Sequence, residues 1–193
     1  MTSSAAPSDL TGRARIRDSA LRLYAAHGAE AVSLRAVARD AGATPGLVTH
    51  HFGSRAGLCR AVQDHVVEMF RQALEAVPAT GSARAVAAAR TQSLERMLAE
   101  RPDVTDLVRR ELLSPAPGDD YLATALVDLA IEQTARLRAA GTLPTEVPAH
   151  VQAVQTVVAQ LGRMLISPAM ERAWQQAGGP PQTPEVRVTL KGL

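Results

Sequence analysis

Apolar residues recur along the chain at helical intervals, and the breaks between runs carry residues that end and start helices. From Thr11 onward, Ile16, Ala20, Leu23, Tyr24 and His27 follow the i, i+4, i+7, i+8, i+11 pattern that lines one helical stripe. Gly28 predicts its end. Ser33 is a good N-cap for a second helix, whose Leu34, Val37, Ala38 and Ala41 share a face before Gly42 stops it. Thr44 caps a third helix, 45–51, with Pro45 at its first position, where a missing N–H costs nothing. Two helices this short bury too little surface to stand separately, so they need the first as a platform, which predicts a three-helix head.

Phe52-Gly53-Ser54 breaks the pattern, and Ser54 caps a long helix with Leu58, Ala61, Val62, His65, Val66, Met69, Phe70, Ala73 and Val77 on one face. After the loop 80–82, a helix runs through Leu94, Met97 and Leu98 until Pro102 stops it, and Asp103 starts a shorter one with Val104, Leu107, Val108 and Leu112 inward. The break 114–118 leads to two long helices, 119–140 and 146–166. The first has Leu122, Ala125, Leu126 and Leu129 on one face, the second Val154, Val158, Leu161 and Leu165. A last short helix is expected over 168–177. Val186, Val188 and Leu190 then alternate, but a strand without a partner is marginal, so the tail reads as disordered.

Composition supports helices throughout. The chain is 46% hydrophobic and 3% aromatic, much of it Ala and Leu, which are strong helix formers that pack closely. So few rings argue against a single-strand nucleic-acid binder that stacks bases. No charge-free apolar stretch is long enough for a membrane span, and the first residues lack a secretion signal, so a cytoplasmic protein is expected. Cys59 has no second cysteine to pair with and reads as a bystander. There is no internal repeat, P-loop or dinucleotide fingerprint, and no cofactor is expected.

The net charge of +2 conceals an asymmetry. Residues 1–60 carry eight arginines against four acids, whereas the remaining 133 hold 13 basic groups against 15 acidic ones. A basic head on a mildly acidic body is the pattern of a chain that meets a polyanion at one end.

The stretch from Ser33 to Phe52 combines a capped helix, a glycine turn and a second capped helix. Such a pair can cross a nucleic-acid backbone with the first helix and turn the N-terminus of the second toward the major groove. Gly46 has no side chain and lets backbone approach DNA closely. The matches Val37-Ala38-Arg39-Asp40-Ala41-Gly42, Thr44, Gly46 and His51-Phe52 make residues 11–62 resemble the head of the tetracycline-repressor (TetR) family of bacterial regulators. Arg55 stands where that family usually has lysine, and Thr49 where it usually has tyrosine.

The resemblance implies an all-α fold: a helix-turn-helix head and a C-terminal helical bundle for ligand binding and dimerisation. The division expected is an arm 1–10, a DNA-binding domain 11–53, a regulatory and dimerisation domain 54–177 and a tail 178–193. It further implies that Arg35 reaches a base edge or phosphate, that Ser33, Thr44 and Thr49 bond phosphates, that Pro45, Gly46 and His50 face the groove, and that Arg55 neutralises a phosphate. Threonine at 49 can donate to a phosphate or touch a thymine methyl, but lacks the reach of a ring. The implied partners are an operator duplex, a small-molecule effector and a second copy of the chain bound through 119–140 and 146–166, where Gly162 permits close approach. The effector pocket is expected among helices from about Met69 to Leu112, with Phe70, Met97 and Val108 as lining candidates. A repressor released from its operator by the effector is the implied mode of action.

Rival readings carry less. His50 and His51 are adjacent on a helix and point about 100° apart, so they chelate one ion poorly, and His51, Tyr24 and Phe52 read as head core. Arg13, Arg15 and Arg17 fit either a solvated face or phosphate contacts, and Arg109-Arg110-Glu111 fits surface ion pairs better than an acid-binding site. Five scattered histidines form no set of nucleophile, base and orienting group, so an enzyme is not expected. The alternative to a regulator is a helical interaction module that has lost DNA binding.

Overall fold

The computed structural model describes residues 7–113 and 120–180, and every regular element among them is a helix. In chain order these are α1 (Pro7–His27), a 3-10 turn (Ala29–Ala31), α2 (Leu34–Asp40), α3 (Pro45–Phe52), α4 (Arg55–Glu75), α5 (Ala83–Glu100), α6 (Pro102–Leu113), α7 (Tyr121–Ala139) and α8 (Ala149–Gln176).

The caps form as their residue types predict. Ser33 Oγ accepts from the Ala36 N–H at 3.1 Å, Thr44 Oγ1 from Leu47 at 3.2 Å, and Ser54 Oγ from Gly57 at 3.0 Å. Each satisfies one of the four N–H groups that a helix start leaves without a partner. At the end of α2, Gly42 takes φ +59, and the Ala43 and Gly42 N–H groups donate to Ala38 O and Arg39 O at 2.8 and 3.2 Å. This left-handed closure turns the chain at once into the Thr44 cap. Gly57 answers a different need: a Cβ there would lie 2.0 Å from Phe52 O, so only glycine lets α4 start against the end of α3.

Some boundaries move. α1 starts at Pro7, inside the segment expected as an arm; residues 1–6 of that arm, and 181–193 of the expected tail, lie outside the described residues. α3 includes Phe52, because Gly53 N–H still reaches Thr49 O at 2.8 Å. Pro102 opens α6 instead of merely ending α5, as its fixed φ suits a first helical position. α8 begins at Ala149, since Pro148 drives Val147 out of the helical region. It then runs unbroken to Gln176, correcting the separate helix expected over 168–177. A proline forfeits one internal hydrogen bond, and the turns on both sides outweigh that loss.

The chain folds as two compact units, Met1–Met69 with Leu98–Leu122 and Phe70–Met97 with Ala123–Leu193. This differs from the expected division at 53/54, because α6 and most of α4 belong with the head. In the first unit α1 touches α2, α3 and α6. Ile16, Ala20, Leu21 and Tyr24 are buried on α1, with Val37, Val48, Leu58, Val62, Leu107 and Val108 from the other helices. Contact on two sides explains why Leu21 joins the buried stripe, while Leu23 is half-buried and His27 exposed. The second unit buries Phe70, Leu94, Leu126, Leu129, Leu137 and Ala153.

Candidate functional site

Every residue assigned to DNA contact is exposed: Ser33 and Arg35 around the start of α2, Thr44, Pro45, Gly46, Thr49 and His50 on or beside α3, and Arg55 at the start of α4. Their chemistry differs from residue to residue. Ser33 and Thr44 use an oxygen lone pair for capping, which leaves each hydroxyl proton free to donate outward. Thr49 is the reverse case, since its hydroxyl donates to Pro45 O at 3.2 Å. A phosphate would have to displace that bond, whereas the Thr49 methyl needs no such change. His51 is half-buried, with Nε2 closed off from solvent and 3.7 Å from where a Gly12 Cβ would stand. It sits in the head core, as do Tyr24 and Phe52.

The eight head arginines divide sharply by what they already touch. Arg17 pairs with Asp18 at 3.0 Å, and Arg22 with Asp40 at 2.8 Å. Ser19 also donates to Asp40, and this bond with the Arg22 guanidinium holds that carboxyl below the usual carboxylate range. Arg60 lies over the Tyr121 ring at 3.2 Å and Arg13 over Phe52 at 5.1 Å. Arg55 donates to Ala29 O and lies 3.9 Å from Glu30, so it ties α4 to the 3-10 turn as well as facing solvent. Arg15, Arg35 and Arg39 are exposed and have no ion pair or hydrogen bond among the described residues. Of these, Arg39 has no contact role in the sequence reading, although it is four residues, about one helical turn, from Arg35.

Arg109, Arg110 and Glu111 do not form one cluster. Arg109 pairs with Asp106 at 3.1 Å, Glu111 accepts from Gln63 at 3.2 Å, and Arg110 donates to Ala25 O and Ala26 O at 3.3 and 3.1 Å. The last contact satisfies carbonyls at the end of α1. No group of three metal-binding side chains gathers among the described residues, and no described helix is long and apolar enough to cross a membrane.

The second unit contains a cavity of about 290 Å³ between α4, α5, α7 and α8. Of the three lining candidates, Phe70 lines this cavity, whereas Met97 and Val108 do not. Val108 is fully buried in the core of the first unit, and the cavity wall on α5 ends at Leu94. The expected span reached only to α6, whereas two walls come from the distant α7 and α8. Arg90 and Gln133 also line the cavity and escape the sequence reading; Arg90 Nη2 donates to Gln133 Oε1 at 3.2 Å. A signal for them exists, because Arg90 interrupts the stripe Val86, Arg90, Leu94, and Gln133 interrupts Leu129, Gln133, Leu137.

Residues 16–62 match the family model of bacterial regulatory proteins, tetR family. Over 63 residues the chain is 49% identical to the HTH-type transcriptional regulatory protein RaaS of Mycobacterium tuberculosis, a match spanning 33% of this chain and 29% of that protein. Solved structures extend the likeness beyond the head. A protein from Shewanella sp. PV-4 assigned to the tetR family of transcription regulators superposes with a TM-score of 0.68 at 22% identity, over 86% of this chain and 90% of its own. The multidrug binding protein EbrR, solved with imidazole, gives 0.59 at 27% identity over 80% of each chain. The head, over residues 16–62, thus matches the tetR family of bacterial regulatory proteins in sequence, and the helical fold of the chain is like that of the solved regulators.

Proposed function

We propose that this protein is a cytoplasmic transcription regulator that binds operator DNA as a homodimer and is released when a small molecule occupies the cavity of its second unit. The observation that carries this reading is the exposed pair α2–α3. Both N-caps retain a hydroxyl proton, α3 presents Pro45, Gly46 and His50 to solvent, and Arg35 and Arg39 lack an acidic partner among the described residues. Arg35 reads a base edge or clamps a phosphate; Ser33 and Thr44 donate to phosphates. Thr49 offers its methyl to thymine, since its hydroxyl is engaged.

One head makes too few contacts for operator affinity, and a two-fold dimer reading half-sites about 34–36 Å apart supplies the rest. The apolar surface of α7 and α8 supports pairing there: Ile131, Ile166 and Met170 are exposed, and Val154, Val158 and Leu161 are half-buried in a single chain. α4 contributes residues to both units, so a ligand with unequal affinity for two states can shift the head through it. EbrR is a multidrug binding protein, which favours the same use of the cavity here.

The test is binding of fragments selected from the genome, followed by titration of the best duplex. Arg35→Ala is expected to weaken binding by roughly fivefold to 150-fold, about 1–3 kcal/mol for removal of a base contact. Failure to bind any duplex in a salt-dependent way would overturn the proposal in favour of an interaction module.

A further inference from the structure

We propose that the cavity takes a slender apolar molecule ending in one carboxylate, with Arg90 as its counter-ion and Gln133 as a second donor. This rests on reading the cavity as the effector site. Most of the wall is apolar, from residues such as Phe70, Val86, Leu94, Leu126 and Leu129, and such a surface selects a hydrocarbon body. Arg90 sits within that wall at 8% exposure, yet among the described residues its side chain bonds to the neutral carbonyl of Gln133 and to no acid. Arg90 Nε and Gln133 Nε2 are buried without a protein partner among the described residues. Both are donors, so the polar corner that Arg90 and Gln133 bring to the cavity wall holds more donors than acceptors.

Charge decides which acceptor. No aspartate or glutamate lines the cavity among the described residues, and a second arginine, Arg163, lies on α8, bonded to Thr91 at 3.2 Å. The acid that acts on Arg90 through space, Glu75, is already held by Arg136. Burial and the Arg136 charge accordingly disfavour the Arg90 cation. A cationic ligand would add to that repulsion. A neutral one would shut a guanidinium away from water without compensation, which is the costly arrangement for a buried charge. A carboxylate compensates it, and its two oxygens match the guanidinium fork. The volume of about 290 Å³ has room for on the order of ten water-sized groups, which suits a medium-chain acid.

Calorimetric titration of the full chain, without DNA, tests the inference with three probes of one chain length: decanoate, 1-decanol and decyltrimethylammonium. Decanoate is expected to bind about tenfold tighter than decanol or better, with no saturable binding of the ammonium compound. Arg90→Gln is expected to remove the preference for decanoate, weakening decanoate while decanol binds at least as tightly as before, and Arg90→Lys to restore part of the preference. Equal affinity for decanoate and decanol in the wild-type chain, no saturable binding of decanoate, or unchanged decanoate affinity in Arg90→Gln overturns it. The comparison of probes on the wild-type chain decides the question even if Arg90→Gln does not fold. A chain that binds decanoate but no duplex defeats the regulator reading and leaves this one standing. Operator release by neutral compounds, with decanoate inert, does the opposite.

Discussion

Individual side chains in the head are tuned by what surrounds them. The Tyr24 ring fills the core at 1% exposure, but its hydroxyl has no protein partner among the described residues. Burial, with a contribution from Cys59, pushes its pKa up to about 12, so the group stays protonated and still lacks an acceptor. Tyr24→Phe is therefore expected to leave stability unchanged or raise it by about 1 kcal/mol, measured by urea denaturation. His65 lies 3.7 Å from Asp18, yet its pKa is lowered from 6.5, by burial first and then by the Arg17 and Arg101 charges, against the opposing pull of Asp18 and Asp103. Above pH 6.5 both folded and unfolded forms are neutral, and the neutral imidazole's contribution is fully present. As pH falls through that value the unfolded chain takes up the proton first, so stability drops until the folded pKa is passed. Melting temperatures between pH 8 and 5 should fall less steeply for His65→Gln than for the wild type.

At the scale of the helix pair, the geometry rests on a few local bonds. Thr44→Ala removes the acceptor for the Leu47 N–H and should cost about 1 kcal/mol, visible as a lower denaturation midpoint at unchanged m-value. The same change removes a proposed phosphate donor, so DNA affinity should fall by more than Pro45→Ala lowers it. These features are legible in residue order, because capping and glycine turns depend on neighbours within five residues. Ser33, Gly42, Thr44 and Ser54 all act as their types and spacing suggest. The length of α8 is not legible in that way. A proline at 168 announces a break locally, while the decision to continue belongs to the turns before and after it.

For the molecule as a whole, assembly and charge are the testable quantities. Sedimentation equilibrium should find a dimer, and Ile166→Asp on the exposed side of α8 should dissociate it at least tenfold more readily, without loss of helical signal. The head arginines show why a charge count from sequence overstates the positive surface left for a polyanion. Arg17, Arg22 and Arg60 are used inside the unit, and Arg15, Arg35 and Arg39 are left unengaged among the described residues. The dependence of log K on log salt should therefore fall by about one per head in Arg39→Ala, roughly 0.9 for each phosphate no longer neutralised.

Helical periodicity, caps and turn glycines made the head readable from residue order, since each is a short-range preference repeated until it leaves few alternatives. Fold class and the exposed face of α3 followed from them. The cavity did not. Its walls come from residues 70–94 and 126–163, and an apolar stripe looks the same whether it closes against a neighbour, as at Val108, or stops short of one, as at Phe70. Packing in three dimensions settles which stripes meet. It also leaves Arg90 buried with a neutral neighbour, a condition that depends on every charge around it and on none of the residues beside it in the chain.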